Sequence, residues 1–188
     1  MHATRSSVLL ALGATLAGCG GGEGPTLGPE AAGRSALAAG GVAARITGSG
    51  SHIRIGAGGE ELTTFAFSAL RRADGGTSGQ WQYHFRAAGF SMHGDVSCLT
   101  IADNEGWVGG TITKVLSPDP IDQELVGVEM WWRSRDNGEG AGAPPDSTTG
   151  LGFAFPGSTI TAESWCRDQP AALVLREVAA GNIRITDD

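Results

Sequence analysis

The chain is poor in lysine. Lys114 is the only one in 188 residues, and with the arginines the basic total reaches 13 against 20 Asp and Glu, a net charge of −7. An acidic chain without a basic run lacks the electrostatic footprint of a protein that grips nucleic acid or anionic lipid headgroups. No apolar run approaches the roughly 20 residues of a membrane-crossing helix; the longest, Val8 to Leu16, is about half that. Helical spacing of apolar residues never lasts beyond a turn or two, with residues 158–166 the one place for a short helix. Catalytic signatures are missing as well: there is no Gly-x-Ser-x-Gly, His-Glu-x-x-His, Ser-x-x-Lys or Cys-x-x-Cys. None of the glycine-rich stretches joins a strand to a helix as phosphate loops do. An enzymatic activity is therefore unsupported, and a binding or structural role is the leading expectation.

What is present begins with an export signal. Met1 to Ser7 carries one positive charge, Arg5, then the apolar stretch follows and small residues end it. The residues Leu16-Ala17-Gly18-Cys19 resemble the lipobox of bacterial lipoproteins, in which a thiol accepts the lipid and small residues fit the signal peptidase. The resemblance implies cleavage after residue 18, acylation of Cys19 and attachment to the membrane through buried acyl chains. Gly20 stands where an Asp is linked to inner-membrane retention, which points to the outer membrane where a cell has one. Losing Arg5 with the leader moves the charge from −7 to −8.

Of the three cysteines, Cys19 is assigned to lipid and leaves Cys98 and Cys166. In an oxidising compartment this pair is expected to form a disulfide. Residues 19–41, rich in Gly, Ala and Pro, read as a flexible tether that spans on the order of 25 Å. Residues 42–188 read as one all-β domain.

The evidence for strands is period-two alternation. Phe65 and Phe67 alternate with small or polar residues, as do Trp81, Tyr83 and Phe85. Val126, Val128, Met130 and Trp132 share one face of a later run; Leu151, Phe153 and Phe155 share another, and Ile183 and Ile185 close the chain. Gly and Asp clusters at 56–59, 74–76, 109–110 and 137–138 separate the runs. Eight to ten short antiparallel strands in a sandwich or a barrel are expected. One hairpin has a readable register: a loop at 87–90 sets Phe85 opposite Met92, Tyr83 opposite Gly94 and Trp81 opposite Val96, with His84 facing His93 and Gln82 facing Asp95.

Several blocks carry a wider resemblance: Thr64-Phe65-Ala66-Phe67, residues 74–82 and 93–99, residues 106–113, and Asp136-Asn137-Gly138-Glu139-Gly140 with Pro145-Asp146. Together they resemble a group of small exported bacterial β-rich proteins of uncharacterised function. That resemblance implies an all-β, secreted domain and transfers no catalytic residue.

Three clusters are candidate sites. His84, His93 and Asp95, on one polar sheet face, are the residue types that ligate zinc or copper, and they set a metal-dependent hydrolase among the alternatives. Asp136, Asn137, Glu139 and Asp146 offer oxygen ligands of the kind calcium accepts, although Gly138 and Gly140 depart from the EF-hand pattern, and a tight turn is the competing reading. Trp131 lies on the face opposite Trp132, where an exposed ring could stack on a flat ligand, and cover by a neighbouring loop is the competing reading. No cofactor is required by any motif. The remaining alternative is a barrel that carries a small apolar ligand in the manner of lipocalins.

Overall fold

The structure is a computed structural model that describes residues 41–56 and 59–187. The expected leader, the expected lipidation site Cys19 and the expected tether to residue 40 lie outside the described residues. The fold is all-β: one antiparallel sheet curled into a half-barrel. Its strands are β1 (Val42–Gly56), β2 (Gly59–Arg72), β3 (Thr77–Phe85), β4 (Phe90–Ala102), β5 (Glu105–Leu116), β6 (Glu129–Arg135), β7 (Ser147–Thr149), β8 (Gly152–Phe153), β9 (Leu175–Glu177) and β10 (Ala180–Asp187). They run in the order β10-β1-β2-β3-β4-β5-β6-β7-β9, with β8 paired to β6. One helix, α1 (Ala162–Asp168), packs outside.

The concave face follows from the alternation. Phe65 and Phe67 on β2, Trp81 and Tyr83 on β3, Met92 on β4, Val108 and Ile112 on β5, and Met130 and Trp132 on β6 all point inward and are buried. Phe65 stacks on Phe67 and Tyr83, while Trp132 meets Phe67 tilted at 5.3 Å and Trp81 edge-on at 6.3 Å between centroids. Such offset contacts suit the ring quadrupoles. Gly94 sits opposite Trp81, whose ring atoms would lie 2.4 Å from a β-carbon there. Only a glycine lets the indole lie flat on the neighbouring strand.

The β3–β4 hairpin corrects the expected register. A turn of 3-10 helix at Arg86–Ala88 ends on Gly89 with φ 62°, so the loop is 86–89 and Phe85 pairs with Phe90. Tyr83 then faces Met92 and Trp81 faces Gly94 inside; His84 faces Ser91, Gln82 faces His93 and Gln80 faces Asp95 outside. The loop slides by one residue at each end, which leaves every side chain on its expected face. Two other expectations fail locally. Gly109 and Gly110 lie inside β5 instead of in a turn, because that strand is approached closely from both sides. Val126 ends a 3-10 segment and is exposed, since Gly127, at φ 90°, breaks the run before β6 begins.

A second apolar cluster lies on the convex face. Trp107 and Trp131 of the sheet pack against Trp165 and Cys166 of α1. Thr161 and Ser164 form a reciprocal capping box at the start of the helix. Irregularity between Val96 and Cys98 in β4 places Cys98 on the convex side while Val96 and Leu99 stay inside. Cys98 thereby reaches Cys166 on α1, and the two form the expected disulfide across a sequence separation of 68. Gly109 is buried under the same helix, where a β-carbon would lie 2.7 Å from the Cys98 sulfur.

The last strands join the two ends of the sheet. β9 pairs with β7 and, two residues later, β10 pairs with β1. The other edge of β10 presents backbone N–H groups, which need acceptors. The connection from β6 to β7 supplies them. Ile183 N–H donates to Asp146 Oδ2 at 2.6 Å, and Ile185 N–H donates to Asp136 Oδ2 at 2.9 Å.

Candidate ligand-binding cavity

One end of the half-barrel holds a cavity of about 430 Å³. Its walls come from the ends of β1, β2, β3 and β4, from the loop around Asp122 and Leu125, from residues 150–155 and from Arg176 on β9. The volume falls inside the range typical of small-molecule sites, roughly 300 to 1,000 Å³. The wall is largely apolar: Phe85, Phe90, Met92, Leu151 and Phe153 face it, and the Phe85 and Phe90 rings meet tilted at 5.4 Å between centroids.

The polar groups on the wall are few and converge. His52 and Thr63 are opposite each other on β1 and β2, and Thr63 in turn is opposite Phe85. His52, Thr63 and Tyr83 are each only 1% exposed. Neither ring nitrogen of His52, nor the hydroxyls of Thr63 and Tyr83, has a hydrogen-bond partner of good geometry among the described residues. The Ile53 backbone lies near the imidazole, and Thr148 lies near the phenol, whose neighbouring Thr148 hydroxyl bonds Ser134 at 3.0 Å. Buried polar groups are ordinarily satisfied, so three unsatisfied ones around one cavity are unusual.

Charge gathers at the same end. Burial holds His52 below its ordinary value, against an opposing contribution from the Ile53 backbone, and the Arg176 and Arg54 guanidiniums lower it further. The imidazole is therefore neutral near pH 7, with one donor and one acceptor to offer. Burial also pushes the Tyr83 hydroxyl well above its usual range, which keeps it protonated. Arg54 pairs with Glu61 and lies over the Phe85 ring, 4.8 Å from its centroid. Arg176 makes no side-chain ion pair or hydrogen bond within the described residues. Asp122 also lines the cavity, and its carboxylate accepts the Ser117 hydroxyl.

The residues singled out from sequence fall elsewhere. His84, His93 and Asp95 share the convex face of β3–β4, but His84 and His93 are diagonal neighbours, a separation of about 7–8 Å. No group of three or more His, Cys, Asp or Glu side chains gathers to hold a metal among the described residues. In the Asp136 loop, Asp136 accepts the amides of Gly138 and Ile185, and Asp146 accepts those of Asn137 and Ile183. All four carboxylate oxygens thus face N–H donors. Asn137 donates to the Pro145 carbonyl, and Glu139 accepts from Asn182 at 3.4 Å. Trp131 is 4% exposed and stacked against Trp165 at 6.0 Å, so α1 covers the face where a ligand could have stacked, and the covered reading is the one the fold takes. Cys19 lies outside the described residues.

Sequence reasoning missed the cavity because His52 sits in a run, Thr47-Gly48-Ser49-Gly50-Ser51, with no apolar alternation. The inward positions before His52 are Gly48 and Gly50, which carry no side chain to mark a face. No family model, curated protein or solved structure matches the chain.

Proposed function

We propose that this chain is an exported, lipid-anchored cell-envelope protein whose half-barrel binds a small, largely apolar ligand without catalysis. The observation that carries the reading is the cavity, an apolar wall around three buried polar groups that no described residue satisfies. A ligand with an apolar body and a polar end would supply both the missing contacts and the missing hydrogen bonds. The lipobox resemblance and the tether support the envelope placement, with the outer membrane favoured by Gly20. Among the described residues no ligand set gathers to support the metal-dependent alternative.

The test uses the neutral fluorophore N-phenyl-1-naphthylamine, with Cys19→Ser in the chain so that no acyl group competes. Saturable one-site enhancement is expected, and it should be lost in Ala88→Trp. Ala88 is exposed and lines the cavity, so a larger ring there fills the mouth while the core stays intact. Absence of saturable binding overturns the reading, and binding that survives Ala88→Trp moves the site elsewhere.

A further inference from the structure

The cavity has a charge asymmetry that an uncharged apolar ligand leaves unused. Arg54 is already neutralised by Glu61 and held against Phe85. Arg176 is half-buried on β9, faces the same space and has no acidic partner among the described residues. A partly desolvated guanidinium without an acceptor is costly, and its planar fork matches a carboxylate in two parallel hydrogen bonds. Asp122 is the one acidic side chain on the cavity wall, and it is engaged by Ser117. Deeper in, the Tyr83 and Thr63 hydroxyls and the His52 ring nitrogens lack a hydrogen-bond partner of good geometry among the described residues.

We propose that the cavity selects a monoanionic amphiphile, a carboxylate on an apolar or aromatic body. The carboxylate sits between Arg176 and the His52–Thr63–Tyr83 donors, and the body lies against Phe85, Phe90, Leu151 and Phe153. This rests on the reading of the cavity as a ligand site and adds the class of ligand. A single negative charge balances Arg176, whereas a second would face Asp122 with no cation left to meet it. The acidic character of the chain as a whole makes the local choice more telling: non-specific attraction of anions to a surface of net charge −7 is disfavoured, so anion binding here must come from the site.

The experiment is displacement of N-phenyl-1-naphthylamine by two ligands of the same body, 2-naphthoate and 2-naphthalenemethanol. In the Cys19→Ser protein, naphthoate is expected to compete at least about tenfold better than the alcohol. In Arg176→Gln that preference, read as the ratio of the two competitors' apparent affinities, should shrink to within about threefold. Equal competition by the two ligands, or a preference that survives Arg176→Gln, overturns the carboxylate assignment while leaving the cavity reading standing. Failure of the fluorophore itself to bind removes the cavity reading, and the ligand class with it.

Discussion

Removing the Asp146 carboxylate should open the seam between β10 and the β6–β7 connection. Asp146 is 6% exposed, and its two oxygens accept the amides of Ile183 at 2.6 Å and Asn137 at 2.8 Å. Ile183 is fully buried, so its amide in Asp146→Ala has no water to turn to. A buried donor left unpaired costs about 1–3 kcal/mol, and hydrogen bonds to charged groups lie at the upper end. With the half-buried Asn137 amide added, the expected loss is about 2–4 kcal/mol. Asp136→Ala should cost less, about 1 kcal/mol, because its partners Ile185 and Gly138 are half-buried and exposed. Against a total stability of roughly 5–15 kcal/mol these losses are easily resolved by urea unfolding with the disulfide intact. A loss under about 1 kcal/mol for Asp146→Ala, or a larger loss for Asp136→Ala, would refute the reasoning. The same measurement with added calcium should show no rise in the midpoint, since the carboxylate oxygens are committed to amide protons; a calcium-dependent rise would show that they hold a cation.

Two further predictions concern the disulfide and His52. The Cys98–Cys166 bridge closes a loop of sequence separation 68, for which the chain-entropy model gives about 4 kcal/mol. Replacing both cysteines by serine should lower stability by about 2–4 kcal/mol, and a change under about 1 kcal/mol would sink the assignment. His52 is held below its ordinary value of 6.5 in the fold, so between the two values the unfolded chain binds a proton that the folded one does not. Its contribution to stability is therefore complete above about pH 6.5 and is lost as pH falls through that window. His52→Gln should flatten the wild-type decline between neutral and mildly acidic pH, and identical profiles for the two proteins would contradict this.

Where side chains alternate strongly, the sequence told the structure plainly. Phe65, Phe67, Trp81 and Tyr83 point inward as their spacing requires, and Cys98 pairs with Cys166 as the cysteine count led one to expect. The hairpin loop lies one residue earlier than expected because Gly89, in the left-handed conformation, ends it and lets Phe90 pair with Phe85. Whole-sheet features were harder to see. β1 is the longest strand, at 15 residues, yet its centre is Gly and Ser, so its side chains give no periodic signal. Gly109-Gly110 looked like a turn, although those glycines exist to admit α1 and the Asp95 backbone at close range. What covers Trp131 was not legible either, because nothing local marks the helix thirty residues later that packs on it. The candidate site was least legible of all: it is assembled from the ends of four strands and two loops, and its key residue, His52, has no motif around it.

The central claim, that the half-barrel end is a ligand cavity, is tested most directly by NMR of the protein labelled at its methionine methyl groups. Of the methionines, Met92 lines the cavity, while Met130 is buried in the core away from its wall. Titration with N-phenyl-1-naphthylamine should move the Met92 resonance in a saturable way and leave Met130 almost still. A Met92 signal that does not respond while the fluorophore is bound would contradict the claim.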